Sequence, residues 1–218
     1  MSRRFKQVDV FTDKPLLGNP VAVVLDAEGL STGAMQRFAN WTNLSETTFV
    51  LPPTAPGADY RLRIFTPTAE LPFAGHPTIG SAHAVIEAGM VDRDKARLVQ
   101  ECAAGLLAID VEHAANAAPR LFVTAPPTQV RPVPTACLAE LDRILKSGWK
   151  SSTAPLLIDV GPIWLVAMLA DAASVLELRP DLAALAELSR TLSITGLTVF
   201  GAASSGADAI AVRSFAPA

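Results

Sequence analysis

Two side chains in this sequence combine the type and the setting for proton chemistry, Glu46 and His76. Glu46 lies between Leu44 and the run Phe49-Val50-Leu51. Apolar neighbours that strip a carboxyl of water raise its pKa towards neutrality, where one group can take a proton and give it back. From the residues alone, an exposed carboxylate at a strand end is the competing reading, and the commoner place for a glutamate. His76 sits in Gly75-His76-Pro77, directly before a run of small and apolar residues. A helix beginning there offers unpaired N–H groups and positive partial charge to an anion. Gly75 lets a ligand approach the backbone, and the imidazole titrates near neutral pH. The plainer alternative is a turn with a surface histidine leading into a core helix. The Ser45 hydroxyl, beside Glu46, is a further donor for a carboxylate. Asn19, in Leu17-Gly18-Asn19-Pro20, either contacts a ligand or caps a turn.

Other chemistries find little support. The two cysteines, Cys102 and Cys137, are 35 positions apart, and with three histidines in the chain they match no metal spacing. They read as reduced thiols of a cytoplasmic protein. A net charge of −3 gives no electrostatic case for nucleic acid or an anionic membrane. No apolar run approaches the ~18 residues of a spanning helix. The N-terminal residues lack the apolar core of a secretory signal. At 218 residues and 50% hydrophobic, the chain has ample material for one large or two small domains.

The elements that must position these groups can be read in order. Phe5 to Phe11 alternates as a strand, and Val21 to Leu25 is a strand too apolar to have a wet face. Ser31 or Thr32 caps a helix running to about Asn43. A β-rich run over 43–51 has Glu46 at its start. The strand Arg61 to Phe65 leads through a polar loop to a helix with Pro77 at its first position and Gly89 at its end. Arg97–Glu101 and Leu106–Glu112 flank a hairpin turn at 103–105, and Arg120–Thr124 is another strand. Pro126, Pro127, Pro132 and Pro134 mark a linker. We therefore expect an N-terminal domain over 1–125, a Pro-rich linker over 126–136 and a C-terminal domain over 137–218. In the latter, Cys137–Lys146 and Asp181–Leu192 read as helices. Leu156–Val160, Trp164–Leu169, Leu197–Phe200 and Ala209–Phe215 read as strands, and Asp208 as a turn residue.

The halves carry a weak internal repeat. Leu17 to Asp26 resembles Val160 to Asp171. Thr47-Thr48-Phe49-Val50 resembles Leu197-Thr198-Val199-Phe200, and Arg63-Ile64-Phe65-Thr66-Pro67 resembles Arg213-Ser214-Phe215-Ala216-Pro217. The last two pairs share an offset of 150, which sets Glu46 against Gly196. By the same logic the second domain is expected to be truncated before a central helix of its own.

Four ordered segments carry a family resemblance: Val8–Thr12, Gly18–Val24, Asn43–Val50 and Phe65–Ala82. The chain resembles the phenazine-biosynthesis PhzF-like proteins, which share the diaminopimelate-epimerase-like fold. The resemblance implies an α+β architecture of two pseudo-symmetric domains, each a barrel-like sheet around a central helix, with the active site in the cleft between them. It implies a cofactor-independent isomerase acting on a small carboxylated substrate, a dihydro-hydroxyanthranilate in the family's characterised member. Glu46 corresponds to the family's proton-moving glutamate, and Gly75 and His76 to its Gly-His pair. Neither cysteine lies in a motif of the two-thiol racemase relatives. A homodimer and a cytoplasmic location are implied too. The family's second-domain motif, Glu-Asp-Pro-x-Thr-Gly-Ser-Ala, is not found in the sequence. The expectation is therefore a piece of a longer isomerase or, alternatively, a non-catalytic small-molecule-binding or regulatory protein with an incomplete site.

Overall fold

The computed structural model describes residues 2–113, 119–146, 149, 153–203 and 210–217. The mixed α+β chain divides into two compact units, Met1–Pro126 and Pro127–Ala218.

In the first unit, β1 (Phe5–Val10) and β2 (Asn19–Val24) form an antiparallel hairpin. The chain crosses over through α1 (Thr32–Thr42) to β3 (Thr47–Leu51), parallel to β2. β4 (Tyr60–Phe65) returns antiparallel to β3, with the two-residue β5 (Glu70–Leu71) beside it. A second crossover, α2 (Gly75–Glu87), leads to β6 (Arg97–Cys102), parallel to β4. β7 (Gly105–Glu112) and β8 (Arg120–Val123) complete the sheet antiparallel. Strands β1 and β8, at the two ends of the strand order, both pack on α2. The sheet therefore curls around the helix as a half-barrel.

Packing on both faces explains why Val21–Val24 of β2 and Thr47–Val50 of β3 are buried without a break. Val21, Val23 and Leu25 face α2, as do Val50, Leu62 and Ile64. Val24, Phe49 and Phe65 face α1, where Met35 and Ala39 cover them. A strand covered on both faces has no position left for a polar side chain unless that chain is hydrogen-bonded. Thr48 meets this condition by pairing with Ser81 of α2 at 2.8 Å, and Thr47 by pairing with Thr42 of α1 at 2.7 Å.

The helices start and stop for local reasons. The Ser31 hydroxyl accepts from the Ala34 N–H, and Asn43 ends α1 in the left-handed region. Past α2, Gly89 adopts φ +66°; its N–H donates to the Ile86 carbonyl and the Met90 N–H to the Val85 carbonyl. This double closure needs a residue tolerant of positive φ. Two boundaries correct the sequence reading. α2 begins at Gly75, so Pro77 is its third residue rather than its first. Proline fits there because the whole first turn lacks intrahelical N–H partners. Glu46 precedes β3, which starts at Thr47.

The second unit has a five-stranded sheet in the order β13-β12-β11-β10-β9. Its strands are β9 (Gln129–Pro132), β10 (Leu156–Asp159), β11 (Ile163–Met168), β12 (Gly196–Ala202) and β13 (Ile210–Phe215). Its helices are α3 (Thr135–Leu145), α4 (Ala172–Glu177) and α5 (Leu182–Leu192). The stretch 126–136, expected as a linker, holds β9, paired with β10, and the first turn of α3. α4, capped by Asp171, was absent from the sequence reading. Asp208 and Ala209 lie outside the described residues.

The repeat is visible in the strand register. Thr47 pairs with Phe65 and Leu51 with Arg61; 150 positions on, Leu197 pairs with Phe215 and Gly201 with Ala211. β11 also runs parallel to β12 as β2 does to β3. All three helices contribute to the cluster on the face of Leu165, Leu197 and Val199, the counterpart of the α1 face in the first unit. The opposite face ends in Ile210 and Val212, which are 54% and 52% exposed.

Candidate active site

The half-barrel has two distinguishable ends. β1 runs antiparallel to α2: Lys6, near its start, pairs with Glu87 in the last turn, while Val8 and Val10 flank Gly80. The end of β1 and the start of β2 therefore lie at the mouth of α2. β3 is parallel to β2, which brings Glu46, just ahead of Thr47, to the same end. Glu46 and His76 meet there, Oε2 to Nε2, at 3.5 Å.

Neither of these two atoms has a hydrogen-bond partner, and both are buried. The contact is electrostatic, at the outer limit of hydrogen-bond distance. The side chains are 17% and 10% exposed. Burial raises the Glu46 carboxyl to about 7. It also lowers the His76 imidazole, against a smaller opposing effect of the Pro20 backbone. Both shifts have one cause: each charged form is penalised when water is removed and no partner replaces it. Near neutral pH the carboxyl is therefore poised between its two protonation states, beside an imidazole that resists charging. With no hydrogen-bond partner of its own, Nε2 is free to engage a donor that enters the mouth.

The other sequence candidates lie around this pair without touching it through any hydrogen bond described here. Gly75 is the first residue of α2, and the space where a Cβ would stand is open to 4 Å. The N-cap residue Ala74 supplies no side-chain hydrogen bond, so the first-turn N–H groups keep their capacity for an anion. Ser45 is exposed beside Glu46, and Asn19 is exposed at the start of β2. Cys102 and Cys137 are free thiols. No group of His, Cys, Asp and Glu among the described residues is placed to hold a metal. A cleft of about 510 Å³ lies at the other end of the sheet among Leu25, Val50, Tyr60 and Met90. It holds neither Glu46 nor His76, so size alone does not find the chemistry.

Comparison with known proteins adds an independent line. The profile of the family described as phenazine biosynthesis-like protein matches residues 8–218. The chain belongs to this family. It is 44% identical over 216 residues to Antisense-enhancing sequence 1 of Schizosaccharomyces pombe, covering 98% of this chain and 72% of that protein. It is 40% identical over 175 residues to the trans-2,3-dihydro-3-hydroxyanthranilate isomerase of Pseudomonas chlororaphis, covering 80% of this chain but only 60% of that enzyme. In structure it is similar to a Bacillus anthracis phenazine biosynthesis protein of the PhzF family. The TM-score is 0.79 at 26% identity, over 99% of this chain and 73% of that one. A proline racemase from Agrobacterium radiobacter shares the fold, with a TM-score of 0.64 at 16% identity over 91% of this chain and 68% of that one. Among the described residues, no helix of this PhzF-like chain is long and apolar enough to cross a membrane.

Proposed function

We propose that this chain carries the acid/base half-site of a cofactor-independent PhzF-type isomerase, which moves a proton within a small carboxylated ring. The observation that supports it is the Glu46 carboxyl: largely shielded from water, its Oε2 buried without a hydrogen-bond partner, raised to about 7 and 3.5 Å from His76. A group poised there exists in both protonation states at working pH, which acid/base transfer in both directions requires. Glu46 as carboxylate takes a proton from one ring carbon, and the electrons left behind delocalise into the conjugated ring and its carboxylate. Glu46 then returns the proton to a second carbon. One C–H bond breaks, another forms and a double bond shifts, so no oxidant, reductant or cofactor enters the balance. The relatives named trans-2,3-dihydro-3-hydroxyanthranilate isomerases act on a substrate of this class.

The first-turn N–H groups at Gly75 and His76 hold the substrate carboxylate in this reading, with the Ser45 hydroxyl and the Asn19 amide at the rim. His76 Nε2 accepts from the protonated Glu46 or from a substrate hydroxyl. The same proposal includes a homodimer in the cytoplasm, which sedimentation and cell fractionation would check. The test is solvent-deuterium incorporation into a dihydro-hydroxyanthranilate. Glu46→Gln is expected to slow it by about 10²–10⁴-fold with the far-UV spectrum unchanged. Undiminished exchange would remove Glu46 from the mechanism. Substrate binding by the unsubstituted protein with no exchange at all would favour the non-catalytic binding protein.

A further inference from the structure

We propose that the loop between β1 and β2, residues 11–18, is an apolar strap that closes over the Glu46–His76 mouth and packs on the hydrocarbon ring of the bound carboxylate. The inference rests on the reading of this mouth as a carboxylate site.

Three large apolar side chains stand out on this short loop. Phe11 is 75% exposed, Leu16 92% and Leu17 73%, and none belongs to a core cluster. Single exposed leucines need no explanation, but a group of bulky apolar side chains on one loop marks a surface that meets something. Its position says what. The loop leaves β1 after Val10 and re-enters the sheet at Asn19 and Pro20, and Val10 and Val21 lie against Gly80 in the half of α2 that carries His76. The group therefore sits at the rim of the one buried acid/base pair, not on a sheet face.

The loop is pinned at its base and internally light. A Cβ at Gly18 would stand 2.3 Å from the Val10 carbonyl oxygen, so the two ends of the hairpin touch. Between them the described hydrogen bonds are those of a small turn: Thr12 Oγ1 donates to the Lys14 carbonyl and accepts from the Lys14 N–H, and the Leu17 N–H donates to the Lys14 carbonyl at 3.4 Å. Phe11 and Leu16 have φ of +66° and +69°, a region that bulky residues enter rarely. Each is a point where rotation to the ordinary region re-aims an outward-facing side chain, as hinge residues do. The closure has a chemical purpose. Glu46 keeps 17% of its side-chain surface open to water, and proton return to a chosen carbon competes with loss of that proton to solvent.

The test compares benzoate with acetate as ligands of the full chain, by calorimetry and by the imidazole resonances of His76. Benzoate is expected to bind about tenfold more tightly than acetate, because only its ring has apolar area to bury against the strap. A Phe11→Ser, Leu16→Ser, Leu17→Ser variant should lose that preference and keep its acetate affinity; a preserved preference overturns the proposal. Independently of any variant, amide exchange over 11–18 in the unsubstituted protein should slow with benzoate and not with acetate. Unchanged exchange also overturns it. If neither ligand perturbs His76, the carboxylate-site reading fails and takes the strap with it. If benzoate perturbs His76 while the loop stays silent, only the strap fails. A variant that sediments differently but prefers benzoate as before assigns the apolar group to contact between copies, and the proposal falls.

Discussion

Strands β3 and β4 and their counterparts β12 and β13 pair in the same register, 150 positions apart, yet they live in different surroundings. In the first unit, Thr48, Val50, Leu62 and Ile64 face α2 and are sealed by it. The corresponding face of the second unit carries Thr198, Phe200, Val212 and Ser214. Thr198 and Ser214 bond to each other at 2.9 Å, and Val212 is half exposed. The outer faces, by contrast, agree closely. Arg63 lies over the Phe65 ring at 5.2 Å, and Arg213 over the Phe215 ring at 4.7 Å. Register and outer face are thus properties of the repeat, while burial of the inner face is a property of the helix laid against it. The acid/base pair follows the helix. Glu46 corresponds to Gly196, where a Cβ would stand 2.1 Å from the Phe215 carbonyl oxygen, so no side chain fits there.

This contrast can be broken by substitution. Leu62→Ala should cost about 2–5 kcal/mol of stability in urea unfolding, the usual loss for emptying a closed core position. Its counterpart Val212→Ala should cost under about 0.5 kcal/mol, as exposed positions do. Equal losses would mean that the second inner face is as closed as the first.

Removing the charge at Glu46 sharpens the difference further. Its folded-state pKa, about 7, lies above the ordinary 4.5, so the native state holds the proton more tightly than the unfolded one. This contribution is full below about pH 4.5 and is lost as pH rises through 7. Glu46→Gln should therefore be more stable than the unsubstituted protein at pH 8 by about 2–3 kcal/mol, and little different at pH 4. A pH-independent difference in melting would refute burial as the cause.

Smaller effects test one close approach, one open position and one helix-end contact. Gly80→Ala should cost about 1–3 kcal/mol, because the new methyl would meet Val21 at 2.5 Å and Val10 at 2.8 Å. Gly75→Ala, facing open space, should leave stability nearly unchanged while filling part of the mouth. In the second unit, Arg213 donates to the carbonyls of Val175, Leu176 and Leu178 at the end of α4. Arg213→Leu should cost about 1 kcal/mol, the value of a partly exposed helix-end contact.

How far the sequence revealed this structure depended on the signal each element leaves. α2 was legible because small and apolar residues run from Thr78 to Ile86, broken by His83, and Gly89 stops them. β9 was hidden by the prolines around it. It is the edge strand of its sheet, where a missing N–H is tolerated. α4 is six residues long, too short to show a period. The register of the repeat was legible because identical offsets in two segments fix it. At the candidate site, the residue types of Glu46 and His76 were visible but their meeting was not. They are 30 positions apart, and only the β3–β4–α2 path joins them. The motif resemblance brought them together before any distance did. The exposure of Phe11, Leu16 and Leu17 ran against their hydrophobicity, and no local pattern announced it.

The glycine at the middle of α2 bears on how damage to this protein would be noticed. With Val8, Val10 and Val21 pressed against Gly80, the helix has no lateral play, and His76 rides one turn further along the same rigid rod. A bulge at its middle would be transmitted to the mouth as a small displacement of the imidazole. Such a displacement is too slight to unfold a sheet that stays hydrogen-bonded, yet large against a 3.5 Å contact. Catalytic rate would then be a finer gauge of packing in this half-barrel than its melting temperature.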